Sequence, residues 1–165
     1  MKNKFISVIL FLVLVCSCIR TLPDEKLSMI RTPYSGKEIR LDGCYVSDPD
    51  ELNKYSEYDF FYSNGVIFAL GDILNIKNIN QFTGGIDFRS KDKASWGLYH
   101  VKDDTISAQI WKVSDDISQY IVQKRFYKIV NDTTLAVDLI RDGDITYYHF
   151  KKFTPKPDST NVFIK

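Results

Sequence analysis

The sequence predicts an all-β fold, an antiparallel up-and-down meander of about eight strands. Three observations carry this expectation. Short runs rich in β-branched and aromatic residues follow one another from Leu41 onward, turn-forming pairs separate them, and no long stretch repeats its apolar residues at helical spacing. Aromatic residues make up 14% of the chain and supply large apolar surfaces to fill one core.

The first strand runs from Leu41 to Ser47. Asp48-Pro49-Asp50-Glu51 then offers an N-cap, a proline at the first helical position and an acidic residue, so one helical turn is expected there. Asn64-Gly65 separates Tyr58-Asp59-Phe60-Phe61-Tyr62 from Val66-Ile67-Phe68-Ala69-Leu70 and is the pair a type I′ turn demands, because both central positions need positive φ. Asp103-Asp104 is a weaker turn between Trp96 to Val101 and Ile106 to Val113. Tyr120 to Val130 reads as one long strand, and Asp142-Gly143 joins Leu135 to Ile140 with Ile145 to Phe150. The one long connection, Asp72 to Ser95, has Gly84-Gly85 at its middle and sets Asn75, Asn78 and Asn80 among Ile76 and Ile79; it is either a functional loop, such as a lid over a barrel mouth, or plain disorder.

Register decides which side chains share a face. With a two-residue Asp142-Gly143 loop, Leu139, Val137 and Leu135 fall opposite Thr146, Tyr148 and Phe150 on a core face, and Asp138 and Ala136 fall opposite Tyr147 and His149 on a wetter one. Around Asp103-Asp104, Val101, Tyr99 and Gly97 group with Ile106, Ala108 and Ile110, while Trp96 stands across from Trp111 on the other side. Around Asn64-Gly65 both faces are apolar, which calls for outside cover by the preceding segment, the helical turn or a partner. The Asn131-Asp132-Thr133 turn admits two registers. A three-residue loop pairs Ile129 with Leu135 and brings Gln123, Arg125 and Tyr127 to the core face beside Val137; a two-residue loop turns Arg125 outward as a surface cation. An inward Arg125 requires a carboxylate, from the protein or from a ligand, because an unpaired buried charge is expensive.

The front of the chain is an address. Lys2 and Lys4 precede the apolar run Phe5 to Val15, too short for the roughly twenty residues of a spanning helix, and Val15-Cys16-Ser17-Cys18 follows. The alternatives are an ordinary secretory signal with incidental cysteines and a lipidation signal. Removing residues 1–17 takes two of the 22 basic residues and none of the 21 acidic ones, so the mature charge is about −1, which argues against nucleic acid as a partner. Residues 18–40 are polar, with Pro23 and Pro33 and little periodicity, and suit a flexible tether; residues 41–165 form the folded domain. Cys44 is the one cysteine of that domain. It reads as a small buried residue, so the domain must rest on burial and strand pairing without an internal disulfide.

The first eighteen residues resemble a bacterial lipoprotein signal, with Cys18 after the small Ser17 as the lipidated position and Cys16 where such signals usually carry Ala, Ser or Thr. The resemblance implies a diacylglycerol and an N-acyl chain on Cys18 and stable anchoring, since each buried methylene contributes about 0.8 kcal/mol. Ile19 at the following position is not the Asp that retains lipoproteins at the inner membrane of enteric bacteria, which implies the outer membrane. The domain in turn resembles the small lipocalin-like lipoproteins of the Bacteroidetes. Gly43-Cys44-Tyr45 stands where lipocalins have Gly-x-Trp, and Trp96-Gly97-Leu98-Tyr99 with Asp104-Thr105-Ile106 resembles a hairpin common in that group. This implies a lipocalin-like β-barrel; an open sandwich of similar strands without a cavity is the alternative.

The function expected is binding of a small, partly apolar or anionic ligand, with Tyr99, Gln123, Arg125, Tyr127 and Tyr148 as candidate ligand-binding residues. Arg125-Phe126-Tyr127 resembles the Arg-x-Tyr pair with which intracellular fatty-acid binders hold a carboxylate. The second expectation is a non-catalytic interaction module for an envelope protein partner, using an aromatic outer wall around Trp96, Trp111, Phe60 and Tyr62. No cofactor, metal or enzymatic activity is expected. His100 and His149 fall on outer faces without spaced ligand partners, the Asp pairs cluster at turns, and there is no Gly-x-Ser-x-Gly elbow.

Overall fold

The computed structural model describes residues 23–49, 55–74, 90–114, 119–138 and 145–165. Eight antiparallel strands close into a barrel in simple chain order. They are β1 (Gly43–Ser47), β2 (Tyr55–Phe61), β3 (Val66–Leu74), β4 (Trp96–Lys102), β5 (Thr105–Val113), β6 (Tyr120–Asn131), β7 (Thr134–Asp138) and β8 (Ile145–Lys152). Pairing of β1 with β8 closes the sheet and leaves no free edge. The all-β up-and-down barrel expected from the sequence is the observed fold, with the topology of a lipocalin-like barrel. Among the described residues no helix is long and apolar enough to cross a membrane. The signal with Cys18, the helical turn expected after Asp48, Gly84-Gly85 and the Asp142-Gly143 turn lie outside the described residues.

Alternation along the strands divides the apolar side chains into two layers. Tyr45, Phe61, Ile67, Tyr99, Ile106 and Leu135 point inward and fill the barrel. Val46, Phe60, Phe68, Trp96, Leu98 and Trp111 point outward from β1–β5, yet they too are buried, because Leu27 and Met29 from before the barrel and Phe153, Phe163 and Ile164 from after it lie across them. The flexible tether expected over residues 18–40 is corrected for its described part. Residues 23–40 form a fixed cover: Gln109 Oε1 accepts from the amides of Ser28 and Met29 at 2.8 and 2.9 Å, and Trp111 Nε1 donates to the Glu25 carbonyl at 3.0 Å. The cause is the apolar outer wall, whose burial outweighs the freedom of a polar segment. The same cover answers the two apolar faces around Asn64-Gly65.

The strand registers test the turn assignments. The β4–β5 hairpin has the expected pairs Val101↔Ile106, Tyr99↔Ala108 and Gly97↔Ile110, with Asp103 at φ 54°. Between β2 and β3 the expected type I′ turn is replaced by a three-residue loop. Gly65 alone has positive φ, its amide donates to the Tyr62 carbonyl at 3.0 Å, and Phe61 pairs with Ile67. Between β7 and β8 the pairing is Val137↔Thr146 and Leu135↔Tyr148, two residues away from the expected pairing. A shift of two preserves the faces, so Leu135, Val137 and Tyr148 remain inside and Tyr147 and His149 outside.

The two ends of the barrel differ. At the lower rim short turns join β2 to β3, β4 to β5 and β6 to β7, and the segment before β1 closes the interior from below. Ile39 is buried there, and Tyr45 Oη accepts from the Arg40 amide at 2.9 Å and donates to the Asp132 carbonyl at 2.6 Å. Lys156 Nζ donates to the Leu41 and Phe61 carbonyls and sits 4.2 Å from the centre of the Tyr62 ring. The upper rim is formed by the opposite strand ends, Ser47, Tyr55, Leu74, Trp96, Val113, Tyr120, Asp138 and Ile145.

Candidate functional site

In the half of the barrel toward the upper rim the interior becomes polar. Glu57 and Asp59 of β2, Gln123, Arg125 and Tyr127 of β6, and Tyr148 of β8 converge there. Arg125 Nη1 lies 2.7 Å from Glu57 Oε2 and 3.3 Å from Asp59 Oδ2. Tyr127 Oη donates to Asp59 Oδ2 at 2.7 Å, and Tyr148 Oη donates to Glu57 Oε2 at 2.5 Å. Nη1 of Arg125 also stands 3.4 Å from both tyrosine hydroxyls, and its Nη2 donates to Gln123 Oε1 at 3.4 Å. Asp59 is 0% exposed and Arg125 8%, while the Glu57 side chain, at 31%, reaches the solvent side of the cluster.

Local sequence explains how these groups fit. The register places Arg125 opposite Ala108 and Asp59 opposite Ala69, so each long polar side chain stands beside a methyl group on the neighbouring strand. Higher up, Gly71 removes a side chain altogether; among the described residues a Cβ there would meet Lys112 Nζ at 3.3 Å. The inward direction of Arg125 comes from a bulge. Asn131 pairs with Thr134 across a two-residue turn, but Ile129 pairs with Leu135, so Val130 is an extra residue. A two-residue turn thus yields the register expected of a three-residue loop, and the alternative with Arg125 on the surface does not occur.

The electrostatics are those of a buried, compensated cluster. Burial raises the Asp59 carboxyl above its ordinary range, with the pull of Arg125 opposing. Burial also acts on Glu57, but the Arg125 charge, the Tyr148 hydroxyl and Lys112 outweigh it, and Glu57 is held low. Burial drives the Tyr127 and Tyr148 phenols far up, so both are donors at neutral pH. Arg125 resists the effect of burial through the hydroxyls and carboxylates around it and stays charged. Asp59 Oδ1 is buried with no hydrogen-bond partner among the described residues.

Of the five candidate ligand-binding residues, the structure brings Gln123, Arg125, Tyr127 and Tyr148 together and separates Tyr99 from them. Tyr99 Oη donates to the Tyr62 carbonyl at 2.8 Å and its ring packs on Phe61 at 5.0 Å, so its polar end is fixed in the lower half. Glu57, Asp59 and Lys112 were not legible as site residues. The run from Tyr58 to Tyr62 is apolar on both parities, which hid the inward parity of Glu57 and Asp59. The carboxylate that an inward Arg125 required comes from the protein itself, twice over. His100 Nε2 lies 2.7 Å from the Ile30 carbonyl and His149 Nε2 3.5 Å from Asp48 Oδ1, both on the outside. Cys44 is buried in the outer layer and burial pushes its thiol up to about 12. A shallow groove of about 250 Å³ on the outer face is bounded by Lys26, Met29, Trp111 and Ile164, and so by the chain's own covering segments.

No family model, curated protein or solved structure matches the chain.

Proposed function

We propose that this chain is an envelope lipoprotein of lipocalin-like type, held in the outer membrane through acylated Cys18, and that its barrel binds a small, partly apolar ligand at the polar half of the interior. The observation that carries the reading is the buried cluster around Arg125, with one wholly buried carboxylate oxygen, Asp59 Oδ1, that finds no donor among the described residues. A barrel that had only to fold would place apolar residues at these positions, because removing each ion from water costs several kcal/mol. A buried unpaired acceptor costs roughly a further 1–3 kcal/mol, which a ligand donor would recover.

Charge counting narrows the ligand. Arg125 and Lys112 balance Glu57 and Asp59, so the site has no excess charge to offer an ion. An anionic headgroup would have to displace a carboxylate from Arg125. The Arg-x-Tyr resemblance to fatty-acid binders therefore does not extend to the ligand class: an uncharged headgroup with a hydrogen-bond donor, such as a hydroxyl, suits Asp59 Oδ1. The aromatic outer wall considered for an envelope partner is occupied by the chain's own segments, with Trp96 and Phe60 0% exposed, and no observation favours that reading.

Native mass spectrometry of the purified chain is the test of binding, followed by calorimetric titration with octan-1-ol, octanoate and octylammonium. A co-purified adduct or saturable binding of octan-1-ol supports the proposal. No adduct and no saturable binding of any of the three would overturn it. Incorporation of labelled palmitate, abolished by Cys18→Ser, tests the anchor.

A further inference from the structure

We propose that the upper rim of the barrel faces the bilayer that holds the anchor, so that the polar half of the interior opens toward lipid. This rests on acylation at Cys18, as proposed above, and adds an orientation to it. The contacts of Pro23, Asp24 and Glu25 decide the matter. The Pro23 carbonyl accepts from Gln119 Nε2, Asp24 Oδ2 lies 2.9 Å from Lys93 Nζ, and the Glu25 amide donates to the Tyr120 carbonyl at 2.9 Å while Glu25 Oε2 accepts from the Val122 amide at 2.6 Å. Tyr120 opens β6 and Lys93 precedes β4, so all these contacts hold the chain at the upper rim.

From there the segment runs down the outside. Ser28 and Met29 lie at Gln109, the Ile30 carbonyl at His100, Arg31 Nε donates to the Asn64 carbonyl at 3.0 Å, and the Tyr34 amide donates to the Ser63 carbonyl at 2.7 Å, at the lower rim. The chain therefore leaves the barrel toward the amino terminus at the top. Five residue steps separate Pro23 from Cys18, which span at most about 18 Å when fully extended. The strand at whose upper end the segment is held, β6, has twelve residues and, tilted as in such barrels, stands roughly 28 Å tall. The link is shorter than the barrel is high, so an anchored molecule cannot turn its lower rim to the membrane. A ligand leaving the bilayer would meet Glu57 and Gln123 first.

The test uses the full acylated chain in lipid vesicles carrying headgroup quenchers. A fluorophore is attached at Lys91→Cys beside the upper rim or at Asp132→Cys at the lower rim; Cys44 is buried and does not compete. The expected result is quenching several-fold stronger at position 91 than at 132, with the contrast reduced when a flexible fifteen-residue insert is placed before Pro23. Equal quenching at the two positions, stronger quenching at 132, or a contrast unaffected by the insert would overturn the orientation. Loss of the anchor itself reads differently: a chain without acyl mass that fails to stay with vesicles removes the lipoprotein reading, and the orientation with it.

Discussion

Tyr127 and Asp59 meet across the barrel: the hydroxyl on β6 donates to the carboxylate on β2 at 2.7 Å, although the two strands share no ladder. Arg125 repeats the same crossing through both carboxylates of β2. Opposite walls are thus tied by directional bonds in a low-dielectric interior, where each partner depends on the others.

That dependence should appear as coupling. Arg125→Met leaves Asp59 and Glu57 without their cation and is expected to cost about 3–5 kcal/mol. Asp59→Asn alone should cost less, because Arg125 retains Glu57. The double variant should be at least about 1 kcal/mol more stable than the sum of the singles predicts, measured from urea midpoints; additivity within about 0.5 kcal/mol would show that the groups do not interact.

Alkaline pH should unfold the barrel steeply. Tyr45 is pushed up to about 12 by burial, and Tyr62, Tyr99, Tyr127 and Tyr148 higher still, from an ordinary value of 10.0. A phenol whose folded pKa is raised contributes stability that is complete below the unfolded value and is lost as pH rises above it. Each of the five then removes about 1.4 kcal/mol per pH unit above pH 10. Absorbance titration should show the more exposed of the ten tyrosines ionising smoothly and these five appearing only together with loss of circular-dichroism signal.

Gln109 is the clamp for the covering segment, with Oε1 on two amides and Nε2 donating to Ser28 Oγ at 2.8 Å. Gln109→Leu keeps the outer layer apolar but strands the two amides. The expected outcome is a loss of roughly 1–3 kcal/mol and faster hydrogen exchange at Ser28 and Met29, with β4 and β5 protected as before. Unchanged exchange at those two amides would show that apolar contacts alone hold the segment.

Glu57→Gln probes the charge balance of the site. With one anion removed, Arg125 and Lys112 exceed the remaining carboxylate, so octanoate should gain on octan-1-ol by about tenfold, or roughly 1.4 kcal/mol. Calorimetric titration of both probes against both proteins measures the change, and an unchanged preference would contradict the charge count.

Much of the barrel was legible because its turns are local. Asp103-Asp104 fixed a whole hairpin, since one loop length gave one coherent apolar face. Asn64-Gly65 misled on turn type, because the same pair serves a three-residue loop in which only Gly65 needs positive φ. Arg125 could not be oriented from sequence: a bulge at Val130 is an added residue without a compositional mark, and it reverses the face of everything before it. Glu57 and Asp59 were hidden by Phe60 and Phe61, apolar on both parities because the wall between them is covered on both sides. The need for that second cover was legible in the two apolar faces around Asn64-Gly65, but which segment supplies it was not, since residues 23–40 pack without the alternation that marks a strand.

Covering of one flank by the chain's own ends makes the molecule mechanically lopsided. The sheet from β1 to β5 carries an apolar cover on its outer face, whereas β6 and β8 present Phe126, Val130 and Ile145 to water. Thermal fluctuation should therefore peel the wall from the thin flank first, around β6 to β8, and that flank carries Arg125, Tyr127 and Tyr148. The flank best placed to breathe carries the cation and the phenols of the polar interior, and the covered flank carries their carboxylates.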